Sequence, residues 1–85
     1  MTIQAEVALY PLKTDLVGKT IESFIERLKA HDLEVEPGPM STRITGDCAK
    51  VFAALAESFA EVASQYQAVL VSKFSNACPS VRDEP

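Results

Sequence analysis

Apolar and polar positions alternate at the start of the chain, which is the period of a β-strand with one buried face. One side carries the apolar residues Ile3, Ala5, Val7 and Leu9, and the other carries Gln4, Glu6, Ala8 and Tyr10. We expect this strand to cover residues 3–10. Pro11 should end it, because proline cannot donate to a strand ladder.

Two later segments repeat their apolar residues at helical spacing. In the first, Asp15 is a suitable N-cap and the helix should run to the region of Ala30 and His31. Its apolar positions are Val17, Ile21, Phe24, Ile25 and Leu28. In the second, Asp47 is the expected N-cap, and the apolar stripe consists of Val51, Phe52, Leu55, Phe59 and Val62.

Three further segments are typical of strands. Residues 33–36 alternate and run into Pro37-Gly38-Pro39, which indicates an edge strand followed by a bend. Residues 40–45 form another extended segment closed by Gly46, and residues 68–74 are rich in β-formers. The predicted order of elements is therefore β-α-β-β-α-β.

This order in a short chain predicts a single ferredoxin-like α+β domain over residues 1–85, with a four-stranded antiparallel sheet and both helices on one face. The opposite face of the sheet is then bare. The last strand has apolar residues on both sides, Ala68 to Val71, which a strand with one solvated face does not need. We therefore expect a homo-oligomer, a dimer or a dimer of dimers, that packs sheet against sheet and forms a ligand pocket.

Composition narrows the possible partners. The net charge is −4 and no Lys/Arg cluster is present, so we expect neither nucleic acid nor an anionic membrane as partner. No segment approaches the roughly 20 apolar residues of a membrane span, and the first residues do not read as a signal peptide, so a cytoplasmic location is expected. Cys48, Cys78 and the single His31 lack metal-ligand spacing. We expect free thiols, no metal and no cofactor.

Several polar residues could contact a small ligand, and each has a simpler explanation. Glu6 should lie beside Tyr10 on the bare face, where a carboxylate could bind a ligand amine or could be solvated or paired with Lys73. The Tyr10 ring could equally serve packing alone. Met40-Ser41-Thr42 and the segment 75–80, Ser-Asn-Ala-Cys-Pro-Ser, follow predicted strand ends, where turn chemistry also explains their composition.

Four segments together resemble the YkoF-like family of thiamine- and hydroxymethylpyrimidine-binding proteins. These are Ala8-Leu9-Tyr10-Pro11, Gly38-Pro39-Met40-Ser41-Thr42, Gly46-Asp47 followed by Val51-Phe52-Ala53-Ala54-Leu55, and Ser75-Asn76-Ala77-Cys78-Pro79-Ser80. The resemblance implies a ferredoxin-like fold and binding of thiamine or its hydroxymethylpyrimidine moiety without catalysis. The family's namesake carries two such repeats, whereas this chain is one, so two copies would associate.

The resemblance also implies which residues line the site. It carries over Tyr10, Ser41, Thr42, Ser75, Asn76 and Cys78, and Met40 adjoins them; Glu6 joins the set on charge and geometry alone. These side chains offer stacking and hydrogen bonds to an aminopyrimidine, and an acidic protein suits the thiazolium cation better than a diphosphate. The alternatives are a small dimeric α+β enzyme of the isomerase or oxygenase type and a regulatory subunit.

Overall fold

A computed structural model of the chain describes residues 1–77 and confirms the predicted order of elements. The six elements are β1 (Thr2–Leu12), α1 (Val17–Lys29), β2 (Glu34–Pro37), β3 (Thr42–Asp47), α2 (Cys48–Ala63) and β4 (Gln67–Ser75). The strands form one antiparallel sheet in the order β2-β3-β1-β4. The fold is the predicted ferredoxin-like α+β arrangement.

The core lies between the sheet and the two helices. The alternating apolar residues of β1 are all buried, as the sequence pattern predicts, and they pack with Phe24 and Leu28 of α1 and with Val51 and Leu55 of α2. Ile44 contributes the same face of β3. Because these residues all lie on one side of the pleated sheet, both helices cover that side. We call the other side the open face.

The prediction that Pro11 ends the first strand is wrong. Pro11 pairs with Ala68 of β4, and β1 continues to Leu12, which pairs with Gln67. A proline is tolerated inside a paired strand when its nitrogen points away from the ladder. Within residues 1–77 the β3 side of β1 is unpaired at this level, because β3 pairs with β1 only as far as Val7.

The predicted helix caps are only half correct. Asp15 is not the N-cap of α1: Leu16 occupies that position, and its N–H donates to Thr14 Oγ1 at 3.0 Å, so a side-chain turn delays the helix. Asp47 is the N-cap of α2, with extended backbone, but makes no side-chain cap bond. Its carboxylate accepts instead from the Met1 amino group at 3.3 Å, and this bond lowers the pKa of Asp47.

Two residues assigned to the apolar stripes are exposed. Val17 is exposed at the start of α1, and Phe52 is exposed on α2. The Phe52 ring stacks on Phe74 of β4, with centroids 4.4 Å apart and an angle of 21° between the rings. Phe52 therefore covers the margin of the sheet, where it extends the apolar surface beyond the buried stripe.

Candidate functional site

The second half of β1 borders an open groove. Beyond Val7, where pairing with β3 ends, the space beside β1 is bounded by α1 and by the turn of residues 38–41 that connects β2 to β3. The groove has a volume of about 430 Å³. Its α1 wall is apolar and consists of Val17, Ile21, Phe24 and Ile25. A groove of this size, lined mostly by apolar groups, is typical of small-molecule sites.

The opposite wall is a tight turn. The Gly38 N–H donates to the Ser41 carbonyl at 2.9 Å, and a Cβ added to Gly38 would lie 2.9 Å from that same oxygen. Glycine is therefore required at position 38 because the Ser41 carbonyl lies so close to it, and not because of the backbone angles of Gly38. The turn holds Ser41 half-buried at the groove and leaves Met40 86% exposed at its tip.

Thr42 supplies a polar group to this otherwise apolar groove. It is only 7% exposed, it lines the groove, and among residues 1–77 its hydroxyl has no hydrogen-bond partner. The buried side-chain polar atoms without a partner in residues 1–77 are Arg27 Nε and Ser58 Oγ, so the Thr42 oxygen is accessible although the residue as a whole is buried. Such a group is available to a ligand that enters the groove.

The free edge of β1 supplies main-chain groups. Because Pro11 sits inside the continuous β1–β4 ladder, its nitrogen must face the groove. In a strand, main-chain groups alternate in direction, so the N–H and C=O of Leu9 and the C=O of Pro11 face the same way. The groove therefore presents one donor and two acceptors beside the Thr42 hydroxyl.

Glu6 and Tyr10 lie on the open face, as predicted. Glu6 is exposed, and it stands directly opposite Arg43 of β3 and Lys73 of β4 in the strand register. Neither cation lies within ion-pair distance of it in the described part of the chain. Glu6, Arg43 and the 38–41 turn line a shallow hollow of about 260 Å³ that adjoins the groove.

The structure separates the predicted site residues into two groups. Tyr10, Met40, Ser41 and Thr42 all line the groove. Ser75 pairs with Gln4, six residues along β1 from Tyr10, which places it about 20 Å away at the other end of the sheet. Its hydroxyl accepts the Ala77 N–H at 3.0 Å, the turn role weighed above, and Asn76 lies beside it. Cys78 lies outside the described residues.

Sequence reasoning missed part of the groove. The apolar residues Ile21 and Ile25 were assigned to the core, yet they are half-buried and form its wall. The main-chain edge at Leu9 was also missed. Its only signal is a proline inside an alternating strand, and that signal was interpreted as the end of the strand.

Other charged groups lie away from the groove. A hydrogen bond from Lys50 at 2.9 Å lowers the pKa of Asp32 and raises that of Lys50, and both side chains are exposed. Within residues 1–77 no three His, Cys, Asp or Glu side chains cluster as metal ligands. None of the helices described is long and apolar enough to cross a membrane.

Comparison with solved structures finds close matches in fold. The hypothetical protein MJ1052 of Methanocaldococcus jannaschii is 30% identical, with a TM-score of 0.82 over 91% of this chain and 81% of its own. A candidate thiamine biosynthesis/salvage protein of Thermotoga maritima is 17% identical, with a TM-score of 0.80 over 88% and 83%. Protein SP2199 of Streptococcus pneumoniae is 14% identical, with a TM-score of 0.82 over 98% and 92%.

A comparison with curated proteins finds no match. The model of the YKOF-related family matches residues 2–81, which is nearly the whole chain. This match confirms the resemblance drawn from the four sequence segments. The chain belongs to the YKOF-related family.

Proposed function

We propose that this protein binds thiamine or its hydroxymethylpyrimidine moiety in the groove beside β1, without catalysis, as a homo-oligomer in the cytoplasm that serves thiamine handling or supply. The observation that carries the proposal is that, among residues 1–77, the edge of β1 beyond Val7 is unpaired and lies next to a Thr42 hydroxyl without a hydrogen-bond partner. Membership of the YKOF-related family supports the ligand class. The Thermotoga maritima protein, a candidate for thiamine biosynthesis or salvage, shares the fold.

The polar groups of the groove match an aminopyrimidine. Its exocyclic amine needs an acceptor and its ring nitrogens need donors. The Leu9 carbonyl can accept from the amine, while the Leu9 N–H and the Thr42 hydroxyl can donate to ring nitrogens. The flat ring would lie against the apolar wall of α1, where its burial contributes to affinity.

The charge of the groove favours thiamine over its diphosphate. Among residues 1–77, none of those that line the groove carries a charge, so a diphosphate would find none of the basic partners there that normally hold it. The thiazolium of thiamine needs no such partner.

The enzyme alternative would require an acid–base pair in the groove. The structure contains one such pair, His31 Nε2 and Glu57 Oε2 at 3.3 Å, but it lies where the end of α1 meets α2, next to Arg27. Neither His31 nor Glu57 lines the groove or the hollow. We therefore favour binding over catalysis, and a regulatory subunit without a vitamin ligand becomes an outcome of the binding test.

The open face supports the homo-oligomer. Tyr10, Val69 and Val71 are each about half exposed there, and Leu12 adjoins them, so a contiguous apolar patch faces solvent in one protomer. Covering it with a second copy adds the burial that a domain of this size lacks. Light scattering at micromolar concentration should give at least twice the 9.2 kDa mass of one chain. A monomer would refute this part.

Calorimetric titration tests the ligand. Thiamine and hydroxymethylpyrimidine should bind with micromolar Kd, about −8 kcal/mol. Thiamine diphosphate should bind at least about tenfold more weakly, because the described part of the groove offers no cation to its phosphates. Tighter binding of the diphosphate would contradict the charge argument. Absence of binding by all three compounds would refute the proposed function and favour a regulatory role.

A further inference from the structure

Four charged residues form a row straight across the open face. Glu36 of β2, Arg43 of β3, Glu6 of β1 and Lys73 of β4 are direct partners in the strand register, so their signs alternate across the sheet. Arg43 donates to Glu36 at 2.9 Å, whereas Glu6 and Lys73 form no ion pair within residues 1–77. With strands about 4.8 Å apart, the row is about 14 Å long.

The alternation makes the row complementary to itself in one arrangement of two stacked sheets. A two-fold axis parallel to the strands, midway between β3 and β1, reverses the strand order in the second copy. Arg43 then faces the partner's Glu6, and Glu36 faces the partner's Lys73. The usual twist of about 30° between aligned sheets displaces the outermost pair by about 4 Å, which long side chains can span.

A two-fold axis perpendicular to the strands gives poor contacts. If this axis runs along the row of charges, each charged residue faces the same residue of the partner, so like charges face each other. If the axis is moved one residue further along β1, Glu6 faces the partner's Ala8 and Lys73 faces the partner's Val71. Both charges would then be covered by apolar side chains without a partner, which is costly.

The apolar patch points to the same arrangement. Tyr10, Val69 and Val71 occupy one end of the open face on the β1–β4 half. At that end the other half of the face holds the 38–41 turn, with Met40 86% exposed at its tip. The axis parallel to the strands exchanges the two halves, so it seats the partner's Met40 on the patch, where its thioether can contact the Tyr10 ring.

We infer that two copies of this chain pair through their open faces about a two-fold axis parallel to the strands between β3 and β1, and that each copy's Met40 turn covers the other's Tyr10 patch. This inference rests on the proposed homo-oligomer and specifies its geometry. It makes Met40 a residue that each subunit contributes next to its partner's groove.

Complementation between charge reversals tests the axis. In Glu6→Arg the new arginine faces the partner's Arg43, and in Arg43→Glu the new glutamate faces the partner's Glu6. Because like charges then face each other, each variant alone should dimerise at least about tenfold more weakly than wild type. In a mixed dimer of the two variants both facing pairs regain opposite charges. Native mass spectrometry and sedimentation of a 1:1 mixture should therefore show the mixed dimer restored. A mixed dimer no tighter than either reversed homodimer would overturn the inference.

The controls separate assembly from folding. Glu26→Arg, on the outer surface of α1, makes the same charge change and should leave dimerisation unaltered. Reversal at position 6 also places like charges side by side within one sheet, so circular dichroism must show a folded variant. If that variant is unfolded, Glu36→Lys with Lys73→Glu gives a second complementary set for the outer facing pair. The same two outcomes then decide the inference.

Titration of the same samples with thiamine keeps the two proposals apart. Wild-type dimers that bind thiamine but whose reversals do not complement would overturn the axis and leave the proposed function standing. Wild-type dimers that complement but bind no thiamine would support the axis and refute the ligand. A wild-type monomer would overturn the axis whatever the ligand result.

Discussion

Thr42 and Thr20 form a matched pair that tests the groove. Both are buried to the same extent, at 7% exposure. The Thr20 hydroxyl donates to the Leu16 carbonyl at 2.8 Å, whereas the Thr42 hydroxyl has no partner in residues 1–77. Replacing each by valine removes the hydroxyl at nearly constant volume. Thr20→Val should therefore lower stability and leave binding unchanged, whereas Thr42→Val should weaken binding without lowering stability.

Thr42→Val removes a hydroxyl that makes no hydrogen bond within residues 1–77 and is accessible from the groove, so no bond is lost. Because valine is preferred in strands, we expect the free energy of unfolding to stay unchanged or to rise by up to about 1 kcal/mol. Thiamine affinity should fall by about 1–3 kcal/mol, or about 5- to 150-fold, since a ring nitrogen loses its donor.

Thr20→Val should lower stability and leave thiamine binding unchanged. It removes one hydrogen bond within α1, which contributes about 0.5–1.5 kcal/mol. The Leu16 carbonyl still accepts the Thr20 N–H at 2.9 Å, so the acceptor is not left bare and the loss should stay within that range. Because Thr20 does not line the groove, thiamine affinity should not change.

Urea unfolding followed by circular dichroism measures the stability of both variants, and calorimetry measures their affinity for thiamine. The assignment of Thr42 to the site fails if Thr42→Val binds thiamine as wild type does. It also fails if Thr20→Val weakens binding equally, because the effect would then follow general loosening of the domain.

Three further changes test other features. Gly38→Ala should weaken thiamine binding, because its Cβ would press on the Ser41 carbonyl. The control Gly18→Ala has open space around it, so it should keep affinity and stabilise α1 by up to about 1 kcal/mol. Equal effects of the two variants on binding would contradict the role of the 38–41 turn. Asp32→Asn should lower the melting temperature slightly at pH 7. Since Lys50 lowers the Asp32 pKa below 3.8, the difference in melting temperature from wild type should vanish as pH falls through that lowered pKa. A difference that does not depend on pH would refute this explanation. Asn76→Ala separates two hypotheses: the family resemblance predicts about 1–3 kcal/mol weaker thiamine binding, whereas a ligand held in the groove of one protomer predicts no change.

The sequence predicted the faces of the sheet better than its ends. Alternation along β1 assigns Ile3 and Val7 to the core and Glu6 and Tyr10 to the open face, because a strand of period two leaves no other choice. The boundaries of the later strands moved by one or two residues, and β1 gained the segment after Tyr10. Where a strand ends depends on whether a neighbouring strand lies beside it at that point, and this is set by the tertiary structure.

The helices show the same limit. The spacing of Val51 and Leu55 fixes the buried side of α2, but the same spacing also admits Phe52, which is exposed. What decides between core and margin is the position of Phe74 at the edge strand, since the two rings stack there. A pattern along one helix contains no information about the partner across the sheet.

The candidate site was predictable in its residues and not in its geometry. Tyr10 and Met40-Ser41-Thr42 were named from resemblance and turn composition, and the structure brings them to one groove. The grouping of Ser75 and Asn76 with them had no geometric basis in the sequence. Antiparallel pairing sends the end of β4 toward the start of β1, and this puts the two groups at opposite ends of the sheet.

Tyr10 connects the two proposals. It lines the groove, and its side chain belongs to the apolar patch of the open face. If thiamine occupies the groove and a second copy covers the patch, both contact Tyr10, and the free energies of thiamine binding and of dimerisation are coupled. Linkage then requires that thiamine strengthen the dimer by the same factor by which dimerisation strengthens thiamine binding. The coupling at Tyr10 would then make the association of two copies respond to the ligand.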